Sequence, residues 1–544
     1  MTCSATLPVT SRSIPWRLWV PITTNSHSQS RTASTIDSPG SPSAVTRRIE
    51  TVSSTRSATA SKTASGPRAS PVAPPAPSGS TTCNANSSAS NAAARLSAWS
   101  TTGSTSPSPA TGRRMRSYSI VSRSRVTGGL TLVFRLRPVG IPIFRPHGAV
   151  REHVQLLVCR GGTVSDADGT VTADVAVDTT AGEIVAVGDV SGAVEAATAV
   201  TELDATGQFV APGLIDTHVH LQMDARPDTA SNRHEPRDSL AFTAASNLRT
   251  AVEAGVTTVR DLGAAGPVAI QAREAVADGR LVGPRVLACG QAITTTGGHG
   301  HWSAREADGP TGVRTAAREQ LKRGADVVKC MATGGVLTAG ARTDRTEMTT
   351  AELDAVVDAA SARGVPTAAH AHGQRGIVAA SEAGITSVEH GTYMDREAAA
   401  TMADNDTYWV PTASALHGIV DGDGDIPAET VAKADDALAA FASSFDHALA
   451  EGVDIAMGTD AGTPHNEISD VPRELQYMVE YGLEPAAALE AATVTAAALC
   501  GLDDVGLIEA GYAADLVVLP ADPREDPTAY ESPAAVVADG ERVV

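Results

Sequence analysis

Two kinds of hydrophobic pattern organise the chain beyond residue 150. Short runs rich in β-branched residues, separated by Gly and Asp, occur near both ends of this region and predict strands joined by tight turns. Between them, apolar runs alternate with amphipathic stretches of helical spacing. The eight apolar runs are GLIDTHVHL, TTVRDLG, RVLACGQAI, DVVKCMATGG, PTAAHAHG, TSVEHG, YWVPTAS and DIAMGTDAG.

The alternation of eight strands with helices predicts a (β/α)8 barrel. Helical patterns such as TAELDAVVDAASARG end in Gly, which is common just beyond a helix C-terminus, and VPRELQYMVEYGLEPAAALEAATVTAAALCG predicts an eighth helix. A doubly wound open sheet is the alternative, but such a sheet rarely carries eight regular units. No GxGxxG motif follows a strand, so a dinucleotide site is not supported. We therefore expect an α/β fold, with a barrel over 212–500 and a small β-sandwich domain built from 151–211 and 501–544.

Residues 1–150 have a different composition. They contain 17 basic and two acidic residues, whereas the remaining chain contains 25 basic and 60 acidic ones, and they are dominated by Ser, Thr, Arg and Pro. Such low-complexity sequence buries too little apolar surface to offset chain entropy, which predicts a disordered N-terminal extension. The abrupt change favours a translation start assigned too far upstream, with a disordered basic arm and a transit peptide as the alternatives.

Charge and composition exclude several classes of function. The net charge of −35 beyond residue 150 repels phosphate, which argues against a nucleic-acid partner. No run of about 18 apolar residues predicts a membrane span, and no apolar segment follows the first residue as in a secretory signal. Six cysteines without a CxxC pair argue against a thiolate zinc site and favour a reducing compartment. We therefore expect an acidic, halophile-like cytoplasmic protein that acts on a small molecule.

Ionisable side chains gather at the ends of the predicted strands. Both the first and the fifth strand close with two histidines at positions i and i+2, and this spacing places both imidazoles on the same face. Barrel active sites are built at the carboxyl ends of the strands. A single strand histidine is usually structural, but that explanation would have to hold independently at several strands. The strand-end residues are His218, His220, His370, His372, His390 and Asp460.

Lys329 lies in the apolar run ADVVKCM of a chain that contains only four lysines. A lysine pointing into a barrel loses its solvation, which is costly without a partner. A desolvated amine near cations can lose its proton and react with CO2, giving a carbamate that bridges two metals. A salt-bridged lysine and a Schiff-base lysine are the alternatives.

Imidazole and carboxylate ligands suit Zn2+, with Mn2+, Co2+ and Fe2+ as alternatives. The residues predict two metal ions bridged by a hydroxide and by the carbamate. The first metal would bind His218, His220 and Asp460, the second His370 and His390, and carbamylated Lys329 would bind both.

The motifs APGLIDTHVHL, VVKCMATGG, HAHG, VEHGTYMD and MGTDAGTP occur in this order, within a match that covers roughly residues 154–544. Together they resemble the metal-dependent amidohydrolase superfamily, in its imidazolonepropionase-related branch with binuclear Xaa-Pro dipeptidase and carboxypeptidase-like members. The resemblance implies hydrolysis of a C–N bond in a small substrate, a dipeptide or an N-acyl amino acid, with Asp460 as proton shuttle. A homo-oligomer is expected by analogy.

Other functions stay open at this point. Mononuclear cyclic-amide hydrolases and deaminases of the superfamily lack the lysine, so Lys329 favours the binuclear enzymes. A barrel with a decayed catalytic site, serving as a scaffold, is disfavoured because every expected ligand is present.

Substrate contacts are predicted next to the metal ligands. His299, in the Gly-rich stretch TTTGGHGH, is the candidate donor to an oxyanion, and His301 is a weaker one. His372 should face the substrate, at a position where many peptidase-like relatives carry Tyr, and Tyr393 could hold a substrate carboxylate or amide. Arg260 and Asp261 are expected to pair with each other.

Overall fold

The structure is a computed structural model that describes residues 117–121, 135–139 and 154–544 except 423. The prediction for residues 1–150 therefore lies largely outside the described residues. Within that stretch, β1 (Ser117–Val121) and β2 (Arg135–Val139) pair in antiparallel fashion.

The strands that follow have an average length of only a few residues and fall at the apolar runs. They are β3 (Gln155–Arg160), β4 (Thr163–Asp166), β5 (Gly169–Thr172), β6 (Asp174–Asp178), β7 (Glu183–Gly188), β8 (Ala199–Asp204), β9 (Phe209–Pro212), β10 (Leu214–Val219), β11 (Val256–Asp261), β12 (Arg285–Ala288), β13 (Ile293–Thr294), β14 (Arg305–Glu306), β15 (Val328–Met331), β16 (Thr367–Gly373), β17 (Ser387–Tyr393), β18 (Tyr408–Val410), β19 (Leu516–Leu519), β20 (Ala535–Ala538) and β21 (Glu541–Arg542).

The helices alternate with the middle strands. They are α1 (Ser191–Ala196), α2 (Arg237–Glu253), α3 (Val268–Ala277), α4 (Gly309–Lys322), α5 (Thr350–Ser361), α6 (Gln374–Glu382), α7 (Arg396–Asp404), α8 (Ala413–Asp421), α9 (Ala428–Glu451), α10 (Val471–Glu480), α11 (Pro485–Ala491) and α12 (Val494–Cys500), with 3-10 turns at Thr229–His234 and Pro527–Glu531. None of these described helices combines the length and apolar character that a membrane span requires.

Both ends of residues 154–544 contribute to one pair of packed sheets. One sheet has the order β21-β20-β19-β9-β4-β5, and the other has the order β7-β6-β3-β8. Strand β19 pairs antiparallel with β9, so the C-terminal segment is hydrogen-bonded to the N-terminal one. Side chains from both sheets, including Leu157, Val177, Val210 and Leu516, share one buried apolar core. The boundaries at residues 212 and 500 stay a prediction.

The middle of the chain is built from parallel strands with helices between them, which confirms the α/β class. Strands β10-β11-β12 form one sheet, and β14-β13-β15-β16-β17-β18 form another. Every residue of β10, β11 and β16 is buried. Burial on both faces explains why these strands read as nearly continuous apolar runs.

The eighth apolar run, DIAMGTDAG, does not form a continuous strand. Parallel bridges join Trp409 to Ile455 and Val219 to Ala461, so the segment lies between β18 and β10. Between the bridges the backbone of Asp460 has a φ of 59°, a left-handed conformation that interrupts a ladder.

The two parallel sheets also approach each other at β12 and β15. There the Asp326 N–H donates to the Ala288 carbonyl. An uninterrupted eight-strand ladder is not formed among the described residues, so the closed barrel remains an inference.

The predicted eighth helix is three helices, α10, α11 and α12. The chain turns after α10 at Gly482, which has a φ of 111°, and Pro485 then occupies the first turn of α11, a position where its missing N–H is tolerated. The apolar pattern alone did not predict the breaks between these three helices.

Candidate active site

One cavity collects most of the predicted functional side chains. Its lining includes His218, His220, His299, Lys329, His370, His372, His390 and Asp460. Five of the six histidines lie in β10, β16 and β17 or directly after β10, whereas His299 lies in the loop between β13 and β14. Lys329 lies in β15, and Asp460 lies in the segment after α9. Side chains separated by up to 242 positions in the chain therefore converge on one buried space.

The first group consists of two histidines of the first HxH motif and one carboxylate. Oδ1 of Asp460 lies 3.3 Å from Nε2 of His218 and 2.9 Å from Nε2 of His220. The candidate ligand atoms of all three residues lie within 4.8 Å of one another.

The Nδ1 atom of each of these two histidines is already hydrogen-bonded. Nδ1 of His218 lies 2.9 Å from Oε2 of Glu389, and Nδ1 of His220 lies 3.1 Å from the Gly263 carbonyl. Both partners are acceptors, so each Nδ1 carries the hydrogen and each Nε2 is left with a lone pair. Lone pairs on two nitrogens then converge with those of the Asp460 carboxylate, an arrangement that requires a proton or a cation between them.

The pKa of His220 reflects the same convergence. Burial alone would lower it, but the hydrogen bond and the charge of Asp460 raise it above its ordinary value. The donor set and its geometry fit a divalent cation.

The second group is formed by His370, His372 and His390, whose candidate ligand atoms also lie within 4.8 Å of one another. It adjoins the first group, because the ring centroids of His218 and His390 are 5.2 Å apart. Burial and the neighbouring imidazoles lower the pKa values of His370 and His390 well below normal. Neutral imidazole is the form that binds metals.

Hydrogen bonds indicate which nitrogens of the second group are free. Nε2 of His370 lies 3.4 Å from the Gly334 carbonyl, which leaves Nδ1 available as a ligand. Nδ1 of His390 lies 2.7 Å from Oγ1 of Thr412, which leaves Nε2. The two strand-end histidines therefore offer different ring nitrogens.

Lys329 is 1% exposed, and its Nζ has no hydrogen-bond partner among the described residues. Burial lowers the pKa of this amine, although Glu389 and Asp460 partly offset the effect. A buried amine without a hydrogen-bond partner destabilises a folded protein, so the presence of Lys329 here points to a chemical role for its amine.

Glu389, which sequence reasoning missed, is the organising carboxylate of the site. It is fully buried, accepts from His218, and is 3.1 Å from Nη2 of Arg260. Burial alone would raise the pKa of Glu389, but Arg260, Lys329 and His218 lower it to about 2. The predicted pairing of Arg260 with Asp261 is therefore wrong, because Asp261 instead accepts backbone N–H groups.

Asp216 is the second missed residue, and it holds the turn that carries Asp460. Its carboxylate accepts from the backbone N–H groups of His218 and Thr459 and, at 2.6 Å, from the Thr459 hydroxyl. Asp216 lies two residues before His218 in the motif DTHVH, and this position is the sequence signal that could have identified it.

His299 lies at the cavity as predicted, with its ring stacked on that of His370 at a centroid distance of 4.2 Å. Burial and nearby positive groups lower the pKa of His299 to about 3, which leaves a neutral ring. His301 is not among the lining residues, and its Nδ1 lies 3.1 Å from the Gly298 carbonyl instead.

The other two predicted substrate residues have different positions. His372 lies in the cavity, with Nδ1 2.8 Å from the Thr392 hydroxyl. Tyr393 instead lines a separate surface depression with Arg342, Asp344 and Lys433. The structure therefore does not bring Tyr393 to the metal-ligand groups.

The rest of the cavity wall is largely apolar. It is formed by Met223, Ala264, Ala292, Trp302, Met331, Val336, Leu337, Ala415, Leu416 and Ile419. Such a wall can bind an apolar group of a substrate and exclude water from the reacting atoms.

Two groups of side chains that could hold metal ions lie at the carboxyl ends of parallel strands, which is the arrangement expected of a metal-dependent hydrolase. The chain belongs to the Amidohydrolase family, whose pattern matches residues 209–543. It is thus an enzyme that hydrolyses C–N bonds, and the resemblance to amidohydrolases with dipeptidase-like members is confirmed.

Three relatives show how far the similarity extends. Ochratoxinase from Aspergillus niger is 32% identical over 358 residues, which cover 60% of this chain and 73% of that protein. A crystal structure of a Xaa-Pro dipeptidase with bound methionine is 33% identical with a TM-score of 0.65, covering 71% of this chain and 99% of that one. A prolidase complexed with N-methylphosphonate-L-proline is 30% identical with a TM-score of 0.66 and the same coverage.

Proposed function

We propose that the protein is a binuclear metallohydrolase that cleaves the amide bond of a dipeptide, Xaa-Pro-like or otherwise, or of an N-acyl amino acid. The observation that carries the proposal is the convergence of acceptor atoms from His218, His220 and Asp460 beside a buried, unpartnered Lys329. The relatives named as a Xaa-Pro dipeptidase and a prolidase support this substrate class. We also propose that the parallel strands and the 454–462 segment form one closed (β/α)8 barrel.

The residues fit two divalent cations, for which we propose Zn2+. His218, His220 and Asp460 would hold the first, and His370 and His390 the second. Bound there, the cations would polarise the substrate carbonyl and lower the pKa of a water so that hydroxide forms near neutral pH.

Lys329 would supply the ligand shared by both cations. Its neutral amine nitrogen attacks CO2, a new N–C bond forms, and one proton leaves to solvent, which yields an N-carboxylate. The lowered pKa of the amine favours this reaction, and the product replaces an unpartnered buried group with an anionic ligand.

Asp460 and His299 would handle the protons and the developing charge. The pKa of Asp460 is lowered despite burial, chiefly by His218 and His220, so its carboxylate is ionised and can accept the proton of the attacking water. It can then return this proton to the leaving amine. Neutral His299 can donate a hydrogen bond to the oxygen that becomes negative in the transition state.

The apolar wall sets an expectation for the substrate. Trp302, Leu416 and Ile419 line the same cavity as the ligand groups, so substrates with an apolar side chain should be preferred. His372 occupies the same cavity and would contact the substrate beside the scissile bond.

Metal analysis of the purified full chain, together with a screen of dipeptides and N-acyl amino acids, tests the proposal. We expect two metal ions per chain and hydrolysis of apolar substrates, with the Asp460→Asn variant retaining its fold but losing turnover. One metal ion per chain, together with release of ammonia or opening of a cyclic amide, would instead assign the protein to the mononuclear deaminases or cyclic-amide hydrolases.

A further inference from the structure

The segment 334–347, between β15 and α5, surrounds His299 on several sides. Nδ1 of His299 lies 2.8 Å from Oγ1 of Thr338, and its backbone N–H donates to Glu347 at 2.8 Å. A β-carbon on Gly335 would lie 2.2 Å from the imidazole, so the backbone there closes against one face of the ring. His370 stacks on the ring as well.

Only one direction of the hydrogen bond between Thr338 and His299 gives every polar group around the Thr338 hydroxyl a partner. It is 6% exposed and accepts the backbone N–H of Gly300 at 3.3 Å. Among the described residues no other acceptor for its hydrogen is found, so that hydrogen satisfies Nδ1 of His299. The opposite direction, from Nδ1–H to Oγ1, would leave the buried hydroxyl hydrogen without a partner.

An accepting Nδ1 determines the tautomer of the neutral imidazole. The ring proton must then lie on Nε2, which makes that nitrogen a hydrogen-bond donor. A donor is what an oxyanion requires, whereas the other tautomer would present a lone pair to a negative oxygen.

Helix α9 holds the segment in place from the other side. Nζ of Lys433 donates to the Thr338 carbonyl at 2.9 Å, and Glu429 accepts the Gly340 N–H at 2.8 Å. Lys433 and Glu429 are themselves paired at 2.8 Å. The position of the Thr338 hydroxyl therefore depends on contacts that are outside the cavity.

We infer that Thr338 is a positioning residue that fixes His299 as the Nε2–H tautomer and so completes the oxyanion site. The inference rests on the proposed function for its catalytic consequence, but the tautomer can be tested without it. The interaction is supplied by a loop residue 39 positions away in the chain.

Nitrogen NMR of the zinc-loaded full chain, labelled with 15N-histidine, tests the tautomer directly. We expect the His299 signals, assigned with a His299→Gln variant, to show an unprotonated Nδ1 and a protonated Nε2. The Thr338→Val variant should populate both tautomers, and Thr338→Ser should restore the original one. Thr392→Val is the matched control, because it should shift the His372 signals and leave those of His299 unchanged.

Kinetics test the consequence. Thr338→Val should lower kcat about tenfold with little change in KM, within the loss of about 10²–10³ expected when a donor such as His299 is removed by His299→Ala. A methylphosphonate analogue of the best substrate should lose the same factor in affinity, whereas the product should not. In the His299→Ala background, Thr338→Val should have no further effect.

Three results would overturn the inference. A protonated Nδ1 on His299 in the native protein would reverse the assigned tautomer. An equal loss from Thr338→Val with and without His299 would mean that Thr338 has a general structural role. A Thr338→Val variant with native kinetics would also refute it. If the native protein hydrolyses no amide, the proposed function fails while the NMR result still decides the tautomer.

Discussion

Replacing Lys329 by Met should move stability and activity in opposite directions. In the metal-free protein the amine is buried without a hydrogen-bond partner, and its lowered pKa means that folding penalises the protonated form. This penalty is complete below the lowered pKa of the folded state, shrinks as the pH rises from there towards the ordinary lysine value, and is absent above that value. Lys329→Met keeps the side-chain length and removes the penalty, which is worth about 1–3 kcal/mol for an unsatisfied buried group.

The same change should abolish catalysis. Loss of a ligand shared by both cations should reduce the metal content and the activation of water, a contribution of several kcal/mol. Since each 1.36 kcal/mol is a factor of ten in rate, turnover should fall by at least about 10³. Lys329→Arg should be equally inactive, because a guanidinium stays protonated and cannot form a carbamate.

Two measurements on the same preparations separate these effects. Urea denaturation of chelator-treated protein should show a higher midpoint for Lys329→Met than for the native chain and a lower one for Lys329→Arg. Metal content and turnover should fall in both variants, and short carboxylic acids should restore some of each in Lys329→Ala. A Lys329→Arg enzyme with two metals and near-native turnover would refute the carbamate bridge.

Three further predictions concern buried carboxylates and net charge. Glu389→Gln should loosen the orientation of His218 and weaken metal binding by about 10–100-fold in chelator competition; unchanged affinity would show that this hydrogen bond is dispensable. Glu474 accepts the backbone N–H groups of Ala413 and Ser414, and burial raises its pKa to about 7. Its contribution to the free energy of unfolding is therefore complete below pH 4.5 and is lost as the pH rises through 7. The native chain should therefore lose up to about 3 kcal/mol relative to Glu474→Gln between pH 5 and 8, and parallel pH profiles would contradict this. Because 60 acidic residues oppose 25 basic ones beyond residue 150, the melting temperature should rise between 0.1 M and 1 M KCl, and a flat profile would count against that repulsion.

The candidate ligands could be identified from the sequence because their signal is local. His218 with His220, and His370 with His372, are two positions apart, and strand geometry places such pairs on one face whatever the rest of the fold does. Lys329 was identifiable because an ionisable residue inside an apolar run is rare and costly.

The residues that orient these ligands were decided by tertiary structure. Glu389 is 171 positions from His218, and its other partner, Arg260, was expected to pair with its own neighbour. Asp216 and Thr459 are 243 positions apart. A buried carboxylate takes the nearest donors in space, and chain proximity carries no information about them.

The hydrophobic pattern predicts least about the turns and the strand ends. DIAMGTDAG has the composition of a strand, yet Asp460 adopts a left-handed backbone that two long-range hydrogen bonds from Thr459 to Asp216 help to hold. Tyr393 follows the predicted strand TSVEHG by two residues and is near His390 in the sequence, but it lines a different depression. The hydrophobic pattern determined which segments are buried, because burial is an averaged property of a run. The direction of a single side chain at a strand end depends on contacts with distant segments, and only the folded chain supplies them.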